Sequence, residues 1–471
     1  MSKAAVQSAA TTILANPLRW FLRAFQPTER SLLSPAADVL MAGGISIVLF
    51  IAMHLFIAKS TSTSTLAWVA YYLAFLVNYP HFAASYQLLY GDSGKFFFDF
   101  KRHYKHALRL WWAGVVMPLL LLAYLAYAFM QGSAVLFGYT VNAMFFFVGW
   151  HYVRQIFGCV IVLSAAKKIF FSPWERRLLQ APLYAIWGLS FVNANTYGYM
   201  NVFHGVSYST FTLTDKVIPA LYTLLAVTSA LCLGMTIAKY VRQKALLPLS
   251  AWAALISIYL WYIPAFSHPH FFLVIPFFHS LQYLLFVTVY KKNQFMEKDT
   301  KGARVNEKRG SERAIAIAST VFLLVPLLLS LYLFYKPYMV SVEKTLRQGI
   351  SSMLSVAPLH MIGVLALWIM LVLMILHVRH STLKSPAGRL ALFIGQATLL
   401  GAILFSLAPT VFDALGSFSP SLIVSYNTTI FGSTLFLFLF TIFVNIHHYF
   451  IDNVLWRRDN PCVKEFLKGN G

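Results

Sequence analysis

The residues of this chain best suited to chemistry are histidines, and they recur in four short blocks that set each imidazole near an amide or a carboxylate. The blocks are Asn78-Tyr79-Pro80-His81, His151-Tyr152-Val153-Arg154-Gln155, His279-Ser280-Leu281-Gln282-Tyr283 and Asn445-Ile446-His447-His448-Tyr449-Phe450-Ile451-Asp452. Spacings of three or four residues place two side chains on one helical face, so Asn78 with His81, His151 with Gln155 and His279 with Gln282 each form a pair. In the fourth block Asn445, His448 and Asp452 share one stripe, while His447 lies on a separate stripe with Phe443 and Ile451. A metal-bound histidine usually needs a partner for its second ring nitrogen, and a nearby Gln, Asn or Asp can hold the ring or be a ligand itself. The pattern points to a metal site with His81, His151, His279, His447, His448 and Asp452 as ligands. Asn78, Arg154, Gln155, Gln282, Tyr283 and Asn445 are then expected to support those ligands or to face a substrate.

The elements that must position these residues are membrane helices. Of 471 residues, 59% are hydrophobic, 16% aromatic and only 11% charged, far from the composition of a soluble domain. Segments long enough to cross about 30 Å of hydrocarbon recur at 36–58, 65–90, 107–130, 135–164, 178–197, 217–238, 246–267, 270–290, 314–335, 355–377, 388–412 and 424–452. The expected fold is an all-α, polytopic transmembrane bundle of twelve spans. Only Ser267-His268-Pro269-His270 separates the seventh span from the eighth, so the two could form one broken helix. Residues 1–35 read as an N-terminal segment with a short amphipathic piece around Leu18 to Phe25 and no cleavable signal, and 453–471 read as a tail. The charged stretch 291–313 reads as a solvated loop dividing spans 1–8 (36–290) from spans 9–12 (314–452).

The formal charge of +22 would suit nucleic acid, but its distribution argues otherwise. With the N-terminus placed inside, the inner loops and termini hold 31 of the 37 Lys and Arg residues, and the outer loops hold only Lys59, Lys216, Lys336, Lys344 and Arg347. That division follows the positive-inside rule and puts both termini in the cytoplasm. No nucleic-acid partner is expected. Arg154 is left as the single basic residue well inside a span. An isolated arginine there is costly, so it should pair with Asp452, the one carboxylate expected at similar depth, or face an anionic group if Asp452 ligates the metal. Cys159, Cys232 and Cys462 have no ligand spacing and read as free thiols.

On this topology the four histidine blocks fall in spans 2, 4, 8 and 12, mainly in their inner halves, with His279 nearest the middle. Ionisable groups inside membrane helices normally face a protein interior and mark a site. His103 with His106, and His377 with His380, are HxxH pairs expected at the membrane interface. Imidazole suits iron, copper and zinc, and a histidine-dominated set with one carboxylate is compatible with non-haem iron. A ferritin-like di-iron bundle needs several Glu and Glu-x-x-His pairs, whereas only Asp452 lies near the cluster.

The blocks Asn78-Tyr-Pro-His81-Phe, Trp150-His151-Tyr-Val-Arg154-Gln155, His279-Ser-Leu-Gln282-Tyr283 and His447-His448-Tyr-Phe-Ile-Asp452 resemble those of a group of uncharacterised polytopic bacterial membrane proteins. The plan of histidines on several membrane helices is similar to that of the Brp/Blh carotene dioxygenases and of the membrane fatty-acid desaturases and hydroxylases. The chain departs from them in having no HxxxH and no HxxHH motif, so the resemblance implies a reaction class and no individual catalytic residue. It implies a multi-pass protein of the bacterial inner membrane, in contact with membrane lipids and served by an electron-donor protein. Its chemistry would be a non-haem iron oxygenase or desaturase acting on a lipid or isoprenoid. Two other classes suit the same residues. One is a small-molecule transporter, hinted at by the likeness of His81-Phe-Ala-Ala-Ser-Tyr-Gln87-Leu-Leu to His279-Ser-Leu-Gln282-Tyr-Leu-Leu. The other is a haem b electron carrier, which needs two histidines on facing helices at matching depth.

Overall fold

The computed structural model describes residues 31–52, 74–196, 202–204, 206–211, 216–243, 246–263, 274–302, 386–418, 435–457 and 459–466. These residues form helices almost throughout. In chain order they are α1 (Pro35–Ala52), α2 (Tyr79–Tyr86), α3 (Phe100–Met130), α4 (Ala134–Ala166), α5 (Pro173–Asn195), α6 (Val217–Gln243), α7 (Leu249–Tyr262), α8 (Ile275–Gly302), α9 (Pro386–Asp413), α10 (Leu435–Leu455) and the short α11 (Pro461–Phe466). A two-stranded antiparallel hairpin, β1 (Val202–Phe203) and β2 (Val206–Ser207), follows α5. Among the described residues, six helices are long and apolar enough to cross a membrane, namely α1, α3, α4, α6, α9 and α10. The described parts of the predicted spans 2, 5, 7 and 8 are helical but fall outside that six, α7 being only 14 residues long. The predicted spans 314–335 and 355–377 and the Ser267 to His270 junction lie outside the described residues.

Local signals set the helix ends. Gly132 sits at φ +60° between α3 and α4, the left-handed conformation that glycine reaches without penalty. Ser133 then caps α4 by accepting from Leu136 N. Ser172 and Glu175 form a reciprocal capping box ahead of Pro173 at the start of α5. Glu175 also accepts from the buried Lys239 Nζ at 3.1 Å, tying the start of α5 to the end of α6.

Several helices contain π turns: Leu40–Gly44 within α1, Ala74–Asn78 and Gln87–Asp92 on either side of α2, Trp112–Val116 within α3 and Ile403–Leu407 within α9. A π turn adds a residue and rotates everything beyond it about the helix axis, a device concentrated at functional sites. Two of these turns hand backbone carbonyls to side chains of other helices. Ala42 O accepts from Gln282 Nε2, and Ala113 O accepts from His447 Nε2 at 2.9 Å.

Four helices enclose the site. Each of α2 and α4 packs on both α8 and α10, closing a ring. Helix α9 braces α2 from outside at Gly401, where a Cβ would overlap the backbone of Tyr79. Apolar clusters surround this ring: one joins α1, α4, α5, α6, α7 and α8; a second joins α2, α3, α8, α9 and α10; a third joins α3, α4, the hairpin and α10. The polar histidines therefore lie where apolar clusters meet, cut off from solvent on every side.

Candidate metal centre

Each wall of the ring contributes one imidazole: His81 from α2, His151 from α4, His279 from α8 and His448 from α10. One ring nitrogen from each lies within 4.8 Å of all the others. The four are buried, His81 and His448 completely. His151 Nε2 stands 3.1 Å from His279 Nε2. Asp452, one turn after His448, brings Oδ2 to 3.3 Å from His448 Nε2 and 3.6 Å from His151 Nε2.

A cation taking one nitrogen from each imidazole would pair several buried atoms that have no partner in the protein. His81 Nε2, His279 Nδ1, both nitrogens of His448 and Asp452 Oδ2 are buried and have no hydrogen-bond partner. Native proteins leave very few such atoms unpaired, and each costs about 1–3 kcal/mol. A metal with bonds of about 2.1 Å to imidazole nitrogen holds its ligand atoms about 3.0 Å apart at right angles and about 4.2 Å apart when opposite. The 3.1 Å between His151 Nε2 and His279 Nε2 matches the shorter of these separations, and the 4.8 Å bound on the whole set is wider than the longer one. A buried cation could hold four imidazoles and one carboxylate here.

Neighbouring side chains orient the ligands. With its one proton donated toward Pro276 O at 2.7 Å or Asn78 Oδ1 at 3.0 Å, Ser280 Oγ accepts from His81 Nδ1, 3.1 Å away. That places the proton of His81 on Nδ1 and turns the Nε2 lone pair toward the cluster. Asp452 Oδ1 accepts from Ser85 Oγ at 3.0 Å and from Tyr283 Oη at 3.1 Å, leaving Oδ2 directed at the imidazoles. Gln155 Nε2 donates to His279 O at 2.9 Å and to Gln282 Oε1 at 3.3 Å, and Gln282 Nε2 continues to Ala42 O and Ser257 Oγ. This amide chain links α4, α8, α1 and α7 around the back of His279.

The structure brings together His81, His151, His279, His448 and Asp452 and sets Asn78, Gln155, Gln282 and Tyr283 behind or beside them. Two sequence expectations need correction. His447 faces away: its Nε2 donates to Ala113 O and its Nδ1 accepts from Tyr86 Oη at 2.9 Å, so neither nitrogen is available to the cluster. Its separate stripe on α10 accounts for this, since one residue turns a helix by about 100°. Arg154 does not pair with Asp452: it is exposed on α4, against the rings of Trp150 and Phe157, while Asp452 is buried among hydroxyls and imidazoles. Asn445 donates to Thr441 O and accepts from Tyr449 Oη within α10, and the Tyr449 ring lies 5.0 Å from that of His151. Sequence reasoning missed Ser85, Ser280 and Tyr86. Ser85 had a usable signal, four residues after His81 on the same helical face.

No family model, no curated protein and no solved structure matches this chain.

Proposed function

We propose that this chain is a multi-pass membrane metalloenzyme holding non-haem iron, an oxygenase or desaturase acting on a lipid or isoprenoid with electrons from a donor protein. The proposal includes twelve spans with both termini in the cytoplasm, and residence in a bacterial inner membrane. The observation that carries it is the convergence of four buried imidazoles and one carboxylate from four helices. Iron held by these four imidazoles and one carboxylate would keep at most one coordination position for dioxygen, and copper and zinc suit the same donors less specifically. The chain's own residues do the rest. Ser280 holds the His81 ring, Ser85 and Tyr283 hold Asp452, and the surrounding apolar clusters exclude bulk water.

The cluster argues against a haem b carrier. A haem takes two axial imidazoles and needs the plane around its iron for the macrocycle. Here two further imidazoles and Asp452 crowd into that space.

Metal analysis of the purified protein, with optical and electron paramagnetic resonance spectra, tests the reading. About one iron per chain is expected from the one such cluster among the described residues, with no porphyrin absorption and with metal lost in His151→Ala and His448→Ala. Protein that carries no transition metal yet turns over substrate would overturn the proposal. Oxygen-dependent change in the lipid or isoprenoid profile of an expressing cell, absent in His448→Ala, tests the reaction class.

A further inference from the structure

Arg154 is the charged residue that the metal centre does not use. It belongs to α4, one of the helices long and apolar enough to cross a membrane, and it follows His151 by three residues with its side chain exposed. Its guanidinium carbon lies 5.7 Å from the centre of the Trp150 ring and 5.8 Å from that of Phe157. Among the described residues it forms no ion pair. A cation flanked by aromatic faces gains attraction from the ring quadrupoles but keeps its hydrogen-bond donors free.

The surface leading away from Arg154 is apolar and open. Phe146, Trp150 and Arg154 follow one another at four-residue intervals and so share a stripe of α4. Across the seam with α5, Trp150 stacks on Tyr184 at 5.5 Å and Phe146 meets Trp187 at 4.9 Å. Phe146 and Tyr184 are 39% and 38% exposed. An aromatic track on the outside of the bundle therefore ends in a guanidinium.

Depth identifies what lies on it. Helix α4 has 33 residues, about 50 Å at 1.5 Å per residue, against about 30 Å of hydrocarbon. With the excess shared between its ends, Arg154 lies about 8 Å inside the boundary nearer Ala166, within reach of a headgroup when the arginine extends toward it. The geometry points to a binding site for an anionic phospholipid of the surrounding bilayer, its phosphate on Arg154 and an acyl chain along the aromatic seam of α4 and α5. Arginine suits this role because its planar fork meets two phosphate oxygens at once. The site is separate from the histidine cluster and stands whether or not the metal reading does.

Native mass spectrometry of the protein released from nanodiscs of equal phosphatidylglycerol and phosphatidylcholine tests it. Arg154 is expected to contribute about fivefold to the wild type's retention of phosphatidylglycerol over phosphatidylcholine, the usual effect of one basic residue near a membrane surface. Arg154→Lys should keep most of that contribution and Arg154→Gln should lower the preference by about fivefold. Equal retention of the two lipids by the wild type, or an unchanged preference in Arg154→Gln, overturns the site. A measurement on the wild type alone guards against a misfolded variant: phosphatidylglycerol with a photoactivatable acyl chain should crosslink to peptides containing Phe146 to Phe157 or Tyr184 to Trp187. Crosslinks confined to other helices would equally overturn it.

Discussion

His151 Nε2 and His279 Nε2 lie 3.1 Å apart although 128 residues separate them in the chain. Between neutral imidazoles only one of the two nitrogens can carry a proton toward the other, and His81, His448 and Asp452 add further acceptors to the same small volume. Acceptors gathered this closely repel one another unless protons or a cation lie between them. The helices bearing them are held together by the apolar clusters outside, so the ring of α2, α4, α8 and α10 keeps its acceptors converged by packing against a local electrostatic cost.

A bound metal would relieve that cost, and its removal should be visible as lost stability. Metal-replete protein in detergent is expected to unfold at a higher temperature than chelator-treated protein. A ligand present at about 1,000 times its Kd stabilises by about 4 kcal/mol. Differential scanning fluorimetry before and after metal removal, with re-addition of iron, copper and zinc in turn, reads both the effect and the preferred ion. Identical unfolding curves would refute a metal that contributes to the fold.

Adjacent histidines should behave in opposite ways. His448→Ala should strip metal, since His448 lies inside the cluster and is completely buried. His447→Phe should leave metal content unchanged and lower stability instead, because the Ala113 carbonyl and the Tyr86 hydroxyl lose their partner. A buried polar group left unpaired costs about 1–3 kcal/mol. Metal analysis and thermal unfolding of the two variants side by side check the contrast.

The separation of His447 from His448 also shows how much of the site the sequence contained. Helical spacing grouped Asn78 with His81, His151 with Gln155 and His448 with Asp452, and these groups face one volume in the structure. The same spacing put His447 on another stripe, and residue type alone had made it a ligand candidate. Arg154 was matched to Asp452 on depth and charge, yet depth does not fix direction. Three residues after His151, Arg154 is turned about 60° from it toward the seam with α5. Ser280 was hidden, and the spacing of Ser85 from His81 was passed over, because a serine in an apolar helix commonly binds its own backbone. Both do so, to His81 O and Pro276 O, while also serving the site. The π turns were not legible at all, since one extra residue in a uniformly apolar stretch leaves no periodic signature.

At the helix ends, Arg109 donates to Asp459 and holds its carboxyl below the ordinary aspartate value. A carboxyl with a depressed folded-state pKa contributes stability that is full above its unfolded value of about 4 and is lost as pH falls through the folded value. The pair is exposed, Asp459 by 58%, so its worth at neutral pH stays within about 1 kcal/mol. Asp459→Asn is expected to unfold slightly below wild type at pH 7, with the two curves converging as pH drops below about 4. A difference that grows on acidification would contradict the pair's role.

Asp452 and Arg154 should separate cleanly under mutation, because the structure gives them different neighbours. Asp452→Asn keeps the size of the side chain and removes its charge from beside His151 and His448, so metal content should fall. Tyr283→Phe deletes one of the two donors that hold Asp452 Oδ1 and should weaken metal affinity by about 10- to 100-fold, as the loss of a supporting partner typically does. Arg154→Gln should leave metal content at the wild-type level. Metal lost equally in Asp452→Asn and Arg154→Gln would restore a functional link between the two residues.

Ser280 offers the sharpest test of how the site is preorganised, because one hydroxyl decides which nitrogen of His81 faces inward. With its proton donated to Pro276 O or Asn78 Oδ1, the hydroxyl accepts from His81, and the imidazole then carries its hydrogen on Nδ1. Ser280→Ala removes that acceptor without changing the volume much. His81 can then turn, or hold its proton on Nε2, and in either case the lone pair no longer points at the cluster reliably. Metal affinity should fall by about 10- to 100-fold with the fold intact. Ser280→Thr keeps the acceptor and should recover most of the affinity if α8 tolerates the extra methyl group. Competition with a chelator of known affinity measures the first effect, and a thermal unfolding curve close to the apo wild type confirms that the helix still packs. If Ser280→Ala binds metal as tightly as wild type, the orientation of His81 is set by the ring of helices alone, and the hydroxyl serves only its own helix.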